Sequence, residues 1–393
     1  MPRQVIYTNE LMRPIAHFSH ASRVGTIVHV GASAGVFPDL RLAGDVPGRV
    51  DIAAQTRRMF ENLRTTLGLL GADMSDVVRV KAYVADTRDI ASYQAIYAQQ
   101  FTGLRPAHNA VGSWAFPLAQ AAVEIDTVAV IGGNAQLVPD AGLSALSGGA
   151  AGGVVVAESH YATAQPIDAG GRVTSHRTRD QAVAALTNLA FMLDAAGFAP
   201  HEICNLHVTI ADIRDCTVVH SEVSRFFGDA VPTLTLVGAP LENPDIRITI
   251  ESTAVKAAGQ PIASSLSPLV VGRPAPAMLA GDTLFFSGQQ VGDEVTHSVE
   301  MQARAAWQRI HALIEAAGFA EDSMLRTNNV LTDWRDFPGF NTGYAPNVAA
   351  PYLPRATVLG QLSDVGAKVQ IEGIAHRGGT DAAIVQVAPL VKR

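Results

Sequence analysis

The stretch AAGFAEDSMLRTNNVLTDWRD (residues 316–336) decides the fold, because the chain writes it three times. Its earlier versions are AAGFAPHEICNLHVTIADIRD (195–215) and LLGADMSDVVRVKAYVADTRD (69–89). Each carries a Gly that stops a helix (Gly71, Gly197, Gly318) and ends in Asp-x-Arg-Asp, at Asp86–Asp89, Asp212–Asp215 and Asp333–Asp336. A Gln stands at a fixed distance before each Gly, at Gln55, Gln181 and Gln302. All three markers move by 126 residues from the first version to the second, and by 121 from the second to the third. The chain is therefore three copies of one module. Each copy is the size of a small domain and far too long for a solenoid unit.

Working outward, the helix after each Gln has one apolar stripe: Phe60, Leu63, Leu67; Leu186, Leu189, Leu193; Trp307, Ile310, Ile314. That i, i+3, i+7 spacing marks an amphipathic helix, and the Gly beyond it is a C-terminal stop. A strand is predicted next (77–84, 203–210, 324–331), then a second helix (93–101, 219–227, 337–344). The last strand of each copy (123–130, 248–255, 369–376) follows, and shorter strands such as 283–287 precede the first helix. Each copy reads as an α+β layer, a mixed sheet with two helices on one face. The expected domains are 1–133, 134–260 and 261–393, with linker composition at 132–153 and 257–268. Part of 140–153 is also a candidate for the second copy's first strands.

The bulk composition narrows the function. Among 393 residues the net charge is −7, with no basic stripe, which speaks against a dedicated nucleic-acid binder. Two cysteines, Cys204 and Cys216, make neither a disulfide framework nor a cysteine zinc site. The histidines lack metal-ligand spacing. With no signal pattern and no membrane-length apolar run, the expected place is the cytoplasm, and no membrane is an expected partner.

These segments resemble the Rid (RidA/YjgF) family of enamine and imine deaminases, once per copy. The resemblance rests on Phe-Ser-Gly-Gln (286–289), the Gln-opened helix, Ala-Ala-Gly-Phe (316–319), the Asp-x-Arg-Asp turn, Leu-Pro-Arg-Ala (353–356) and the closing strands Val-Glu-Ile-Asp (123–126) and Val-Gln-Ile-Glu (369–372). It implies a fold similar to barrel-type chorismate mutase, assembled as trimers with sites in the clefts between subunits. Three copies in one chain then imply a single-chain pseudo-trimer, sheets inward and helices outward, whose copies are each other's partners at high effective concentration. It also implies hydrolysis of a small carboxylated enamine or imine to a keto acid and ammonia, with no metal or organic cofactor. An Arg would grip the substrate carboxylate, and a carboxylate on the last strand would help activate water.

Carried over residue by residue, the resemblance gives unequal copies. Copy three keeps the Arg, as Arg355, with Ser287 and Gly288 as a small pocket wall and Asn341 on the second helix. Its closing-strand acid position holds Gln370, with Glu372 two residues on. Copy one keeps the acid, as Glu124, but has His108 at the Arg position, Gln94 on the helix and Phe18 where the family often has Tyr. Copy two has Leu234 and Thr249, a degenerate site, with His220 on its helix. The expected site is thus Arg355, Ser287, Gly288 and Asn341 for binding, with Gln370 and Glu372 beside them. His108 with Glu124 is expected as a second cleft. Asp-x-Arg-Asp is expected to be structural, Cys204 a packing thiol, and His17 and His20 are open between surface and site.

Two other readings stand beside the deaminase. Chorismatases, single-chain pseudo-trimers acting on a cyclic carboxylated enol ether, share the architecture and a Val-x-Ile-Glu-Gly ending (369–373). The third reading is a non-catalytic Rid-like protein that binds a ligand or partner.

Overall fold

In the computed structural model, residues 3–46, 50–138, 152–257, 259–292, 297–381 and 383–387 are described; residues 139–151 of the first linker lie outside them. The long helices run Ile52–Leu69, Thr178–Ala195 and Val299–Ala316. Their stripes are buried as expected, and Gly71, Gly197 and Gly318 all stand at φ near +70°, where a side chain would strain the helix exit. The repeated Gln has a packing role. Gln55 Oε1 accepts from Ala122 N at 2.7 Å, Gln181 Oε1 from Arg247 N at 2.6 Å and Gln302 Oε1 from Lys368 N at 2.7 Å. One buried amide therefore ties each long helix to the start of its own closing strand.

The central strands Val77–Val84, Ile203–Ile210 and Met324–Leu331 and the closing strands Val123–Val130, Ile248–Val255 and Val369–His376 fall where the sequence puts them. Each central strand pairs antiparallel with its closing strand and parallel with a short cleft strand, Ala107–Gly112, Thr233–Gly238 or Arg355–Leu359. Between them, the first Asp of each Asp-x-Arg-Asp caps a single 3-10 turn, accepting from the Arg backbone N at 2.8–3.0 Å, while the Arg side chain folds back on it. The second helices begin at once, at Ile90, Cys216 and Phe337. The first two start three residues earlier than read, because this turn already feeds helical backbone.

The three sheets close into a pseudo-trimer. The cleft strand of each repeat packs on the first strands of the next: 107–112 on Ser159–Ala164, and 355–359 on Ile27–Ala34, while Thr233–Gly238 meets Thr283–Phe286. Gly112 N donates to Pro240 O at 2.7 Å, Gly238 N to Gln361 O at 2.9 Å, and Leu359 N to Ser113 Oγ at 3.1 Å. A Cβ on Gly112 would stand 2.9 Å from Pro240, so this approach needs glycine. The first sheet gains a further strand that the sequence did not suggest. Ala383–Val387, from the far end of the chain, pairs parallel with Gln4–Tyr7.

The axis is polar. Lys81, His207 and Asn328 occupy one position of the central strands and face Asp126, Glu251 and Glu372 on the closing strands. Arg326 forks onto Asp126, with Nη1 at 2.7 Å. Arg79 bridges Asp126 at 3.2 Å and Glu251 at 3.1 Å, and Lys81 Nζ reaches Glu251 at 2.5 Å. Burial alone would raise the Asp126 carboxyl, but Arg326 and Arg79 outweigh it and hold it well below the carboxylate range.

Candidate active site

The cyclic packing sets which residues meet. The Arg position of one repeat faces the closing-strand acid position of the following repeat, never that of its own. The three clefts therefore pair His108 with the repeat carrying Thr249, Leu234 with the repeat carrying Gln370, and Arg355 with the repeat carrying Glu124.

Arg355 opens its cleft strand and is buried. Its Nη2 donates to Asn341 Oδ1 at 2.5 Å, and Asn341 is itself fixed by donating from Nδ2 to Phe337 O at 2.8 Å, one helical turn back. Rings surround the guanidinium: Tyr344 at 4.6 Å, Phe340 at 5.4 Å, Phe18 of the first repeat at 5.9 Å and Phe337 at 6.0 Å. They hold the fork in place by packing and cation–π attraction. Burial pulls the Arg355 pKa down, with Tyr344 the chief opposing influence, and no carboxylate among the described residues forms a salt bridge with it. Its Nη1, shut off from solvent, has no hydrogen-bond partner among the described residues.

Across the cleft lies Glu124. Both side chains line a cavity of about 50 Å³ with Met12, Ile15, Leu118 and Thr357. Desolvation pushes Glu124 up to about 8, so it is mostly a neutral carboxylic acid at pH 7. A water needs about 10–15 Å³ by the same measure, so the cavity admits only a few small groups. The cleft thus brings to one cavity a guanidinium with no salt bridge among the described residues and the proton of a buried acid.

The other expected residues lie elsewhere. Ser287 Oγ accepts from Leu234 N at 2.9 Å, Gly288 N points to Leu234 O at 3.4 Å, and a Cβ on Gly288 would strike the Gln370 amide at 2.5 Å. These three residues build the Leu234 cleft, whose apolar Leu offers no charge to a carboxylate. Glu372 is on the axis, accepting from Asn328 Nδ2 at 2.9 Å. Two residues along a strand span roughly 6.6 Å, which carries it past the cleft although it shares a face with Gln370. His108 lies in the cleft toward the second repeat rather than with Glu124. It packs on Tyr97 (4.3 Å) and Tyr93 (5.7 Å), meets the Tyr93 hydroxyl at 3.0 Å, and burial lowers it to about 4, leaving it uncharged at neutral pH. Cys204 is buried and pushed up to about 12. His20 bonds Met12 O at 2.9 Å, and His17 packs edge-on to Tyr352 at 5.3 Å. Among the described residues no group of three His, Cys, Asp or Glu is arranged to hold a metal ion, and no helix is long and apolar enough to cross a membrane.

The family profile described as Endoribonuclease L-PSP matches residues 8–131, 153–256 and 266–377. The chain belongs to this family, the Rid family, three times over. A RutC family protein of Pyrococcus abyssi is 33% identical over 111 residues, 28% of this chain and 84% of the relative. A protein of Dermatophagoides farinae named 2-iminobutanoate/2-iminopropanoate deaminase is 30% identical over 130 residues, 33% of this chain and 98% of the relative. Each relative thus spans about one repeat. A chorismatase crystal structure covers 76% of this chain and 93% of its own at 14% identity, with a TM-score of 0.54, a likeness of fold alone.

Proposed function

We propose that this chain hydrolyses a small carboxylated enamine or imine to a keto acid and ammonia, in the cleft between its third and first repeats. The observation that carries the reading is the buried Arg355 Nη1, without a partner among the described residues, on a residue that lines one cavity with Glu124. A substrate carboxylate supplies the missing acceptor as a charge-assisted bond. For a 2-aminoacrylate, neutral Glu124 donates its proton to the methylene carbon, giving an iminium. The resulting carboxylate then takes a proton from water as its oxygen bonds to the iminium carbon, and the tetrahedral adduct expels ammonia to leave pyruvate. The proton balance needs only Glu124, water and one further proton from solvent to leave with ammonia as ammonium, so the reading calls for no metal or organic cofactor. The deaminase relative supports the reaction class. The cavity size favours a three- or four-carbon substrate over a cyclic enol ether or a nucleic acid, since pockets for drug-sized ligands run to about 300–1,000 Å³.

The test is keto-acid release from 2-aminoacrylate generated in the assay by a dehydratase. The wild-type chain is expected to accelerate release and Arg355→Ala to abolish the acceleration. No acceleration by wild type leaves the chain a non-catalytic binder.

A further inference from the structure

A cavity distinct from the Arg355 cleft borders the axial charges. It is a chamber of about 560 Å³ on the pseudo-threefold axis, within the size range of small-molecule sites. One hairpin turn from each repeat frames its mouth, at 24–27, 157–159 and 280–283, and its walls include Val128, Phe285 and Ile374. Its floor is the axial charge network.

In that network the charges are unevenly shared. Arg326 and Arg79 both serve Asp126, and Arg79 and Lys81 both serve Glu251. All three cations are committed to two of the three acids. Glu372, the third, has only the neutral Asn328 amide on Oε1, and its Oε2, closed off from solvent, has no donor among the described residues. On another wall His29 is 6% exposed, and its Nδ1 is also unpartnered. Burial and Arg326 hold the His29 ring neutral at physiological pH. The chamber is therefore lined by the one axial acid without a salt bridge among the described residues, with one oxygen undonated, and by an unpartnered ring nitrogen, beside apolar walls. An identical trimer could not make this inequality; three covalently joined, divergent repeats can.

We propose that the axial chamber is a second small-molecule site, for a primary organic ammonium with an apolar body. The ammonium donates to Glu372 Oε2, and the body packs on Val128, Phe285 and Ile374. A carboxylate oxygen closed off from solvent and without a donor is costly, and an ammonium supplies both donor and charge. Water in the chamber gains little from the apolar walls, so displacing it there favours binding. Glu158 and Asp282 at the mouth favour the approach of a cation, although Arg377 stands 3.7 Å from Asp282.

The test uses the full chain with 2-phenylethylamine, its neutral analogue 2-phenylethanol and its anionic analogue 3-phenylpropanoate, by isothermal titration and crystal soaking. The amine is expected to bind once per chain, with density against Glu372, and at least tenfold tighter than either analogue. Glu372→Gln keeps an oxygen for Asn328 and should weaken the amine at least tenfold. Ile374→Trp narrows the chamber beside Glu372 and should weaken the amine; if that variant does not fold, the Glu372→Gln result decides. Arg355→Ala should leave amine binding unchanged. No saturable amine binding, equal binding of the alcohol, binding that survives Glu372→Gln, or loss in Arg355→Ala would each overturn the proposal.

Discussion

Replacing Glu124 by Gln keeps the shape of the side chain and removes its proton. Burial raises this carboxyl from its ordinary 4.5 to about 8, and each pKa unit corresponds to about 1.4 kcal/mol. The charged form is thus disfavoured in the folded protein by roughly 3–5 kcal/mol. The folded state holds the proton between pH 4.5 and 8 while the unfolded state gives it up, so wild-type stability falls as pH rises through that window. Gln titrates nowhere. The variant should therefore match the wild type near pH 4.5, gain on it as pH rises, and lead by its full margin above pH 8. Calorimetric melting at constant ionic strength from pH 4.5 to 9 measures this. In the same variant keto-acid release should drop about 10²–10⁴-fold, the usual contribution of a positioned proton donor, and wild-type release should decline above pH 8. A stability difference that is flat with pH, or release within tenfold of wild type, would refute the assignment of Glu124 as a buried neutral acid that supplies the proton.

Arg355→Ala should weaken binding of small 2-oxo acids by roughly 1.5–3 kcal/mol, on the order of ten- to a hundredfold, by titration calorimetry, and Arg355→Lys should restore only part of it because the fork is lost. Leu234→Ala and His108→Ala should leave that affinity unchanged and lower the stability in denaturant unfolding, Leu234→Ala by the roughly 2–5 kcal/mol typical of an emptied core site. Asp126→Ala strands the buried Arg326 guanidinium, leaves Arg79 only Glu251, and should cost about 3–5 kcal/mol in denaturant unfolding.

Most of one repeat was legible because its signals are local. Gly71, Gly197 and Gly318 mark the helix ends, the central strands fall between them and Asp-x-Arg-Asp, and apolar alternation marks the closing strands. The strand Ala383–Val387 was not legible, since its partner Gln4–Tyr7 lies at the other end of the chain and neither segment carries a local sign of it. Less of the candidate site is legible. Arg355, Asn341 and Glu124 were each picked out, but aligning the copies groups residues by position within a repeat, whereas the cleft takes its Arg from one repeat and its acid from the next. That is why Ser287, Gly288 and Gln370 were grouped with Arg355 and belong with Leu234. The axial network was missed altogether. Lys81 and Glu251 lie 170 residues apart, and only assembly brings them together.

The most direct test of the central claim, that one cleft of three retains the working pair, is a crystal of the chain soaked with 2-oxobutanoate. The account predicts a single molecule, its carboxylate on Arg355 Nη1 and its carbonyl carbon toward Glu124, with nothing beside Leu234 or His108. Equal density in all three clefts, or a ligand held at His108 and absent from Arg355, would contradict it.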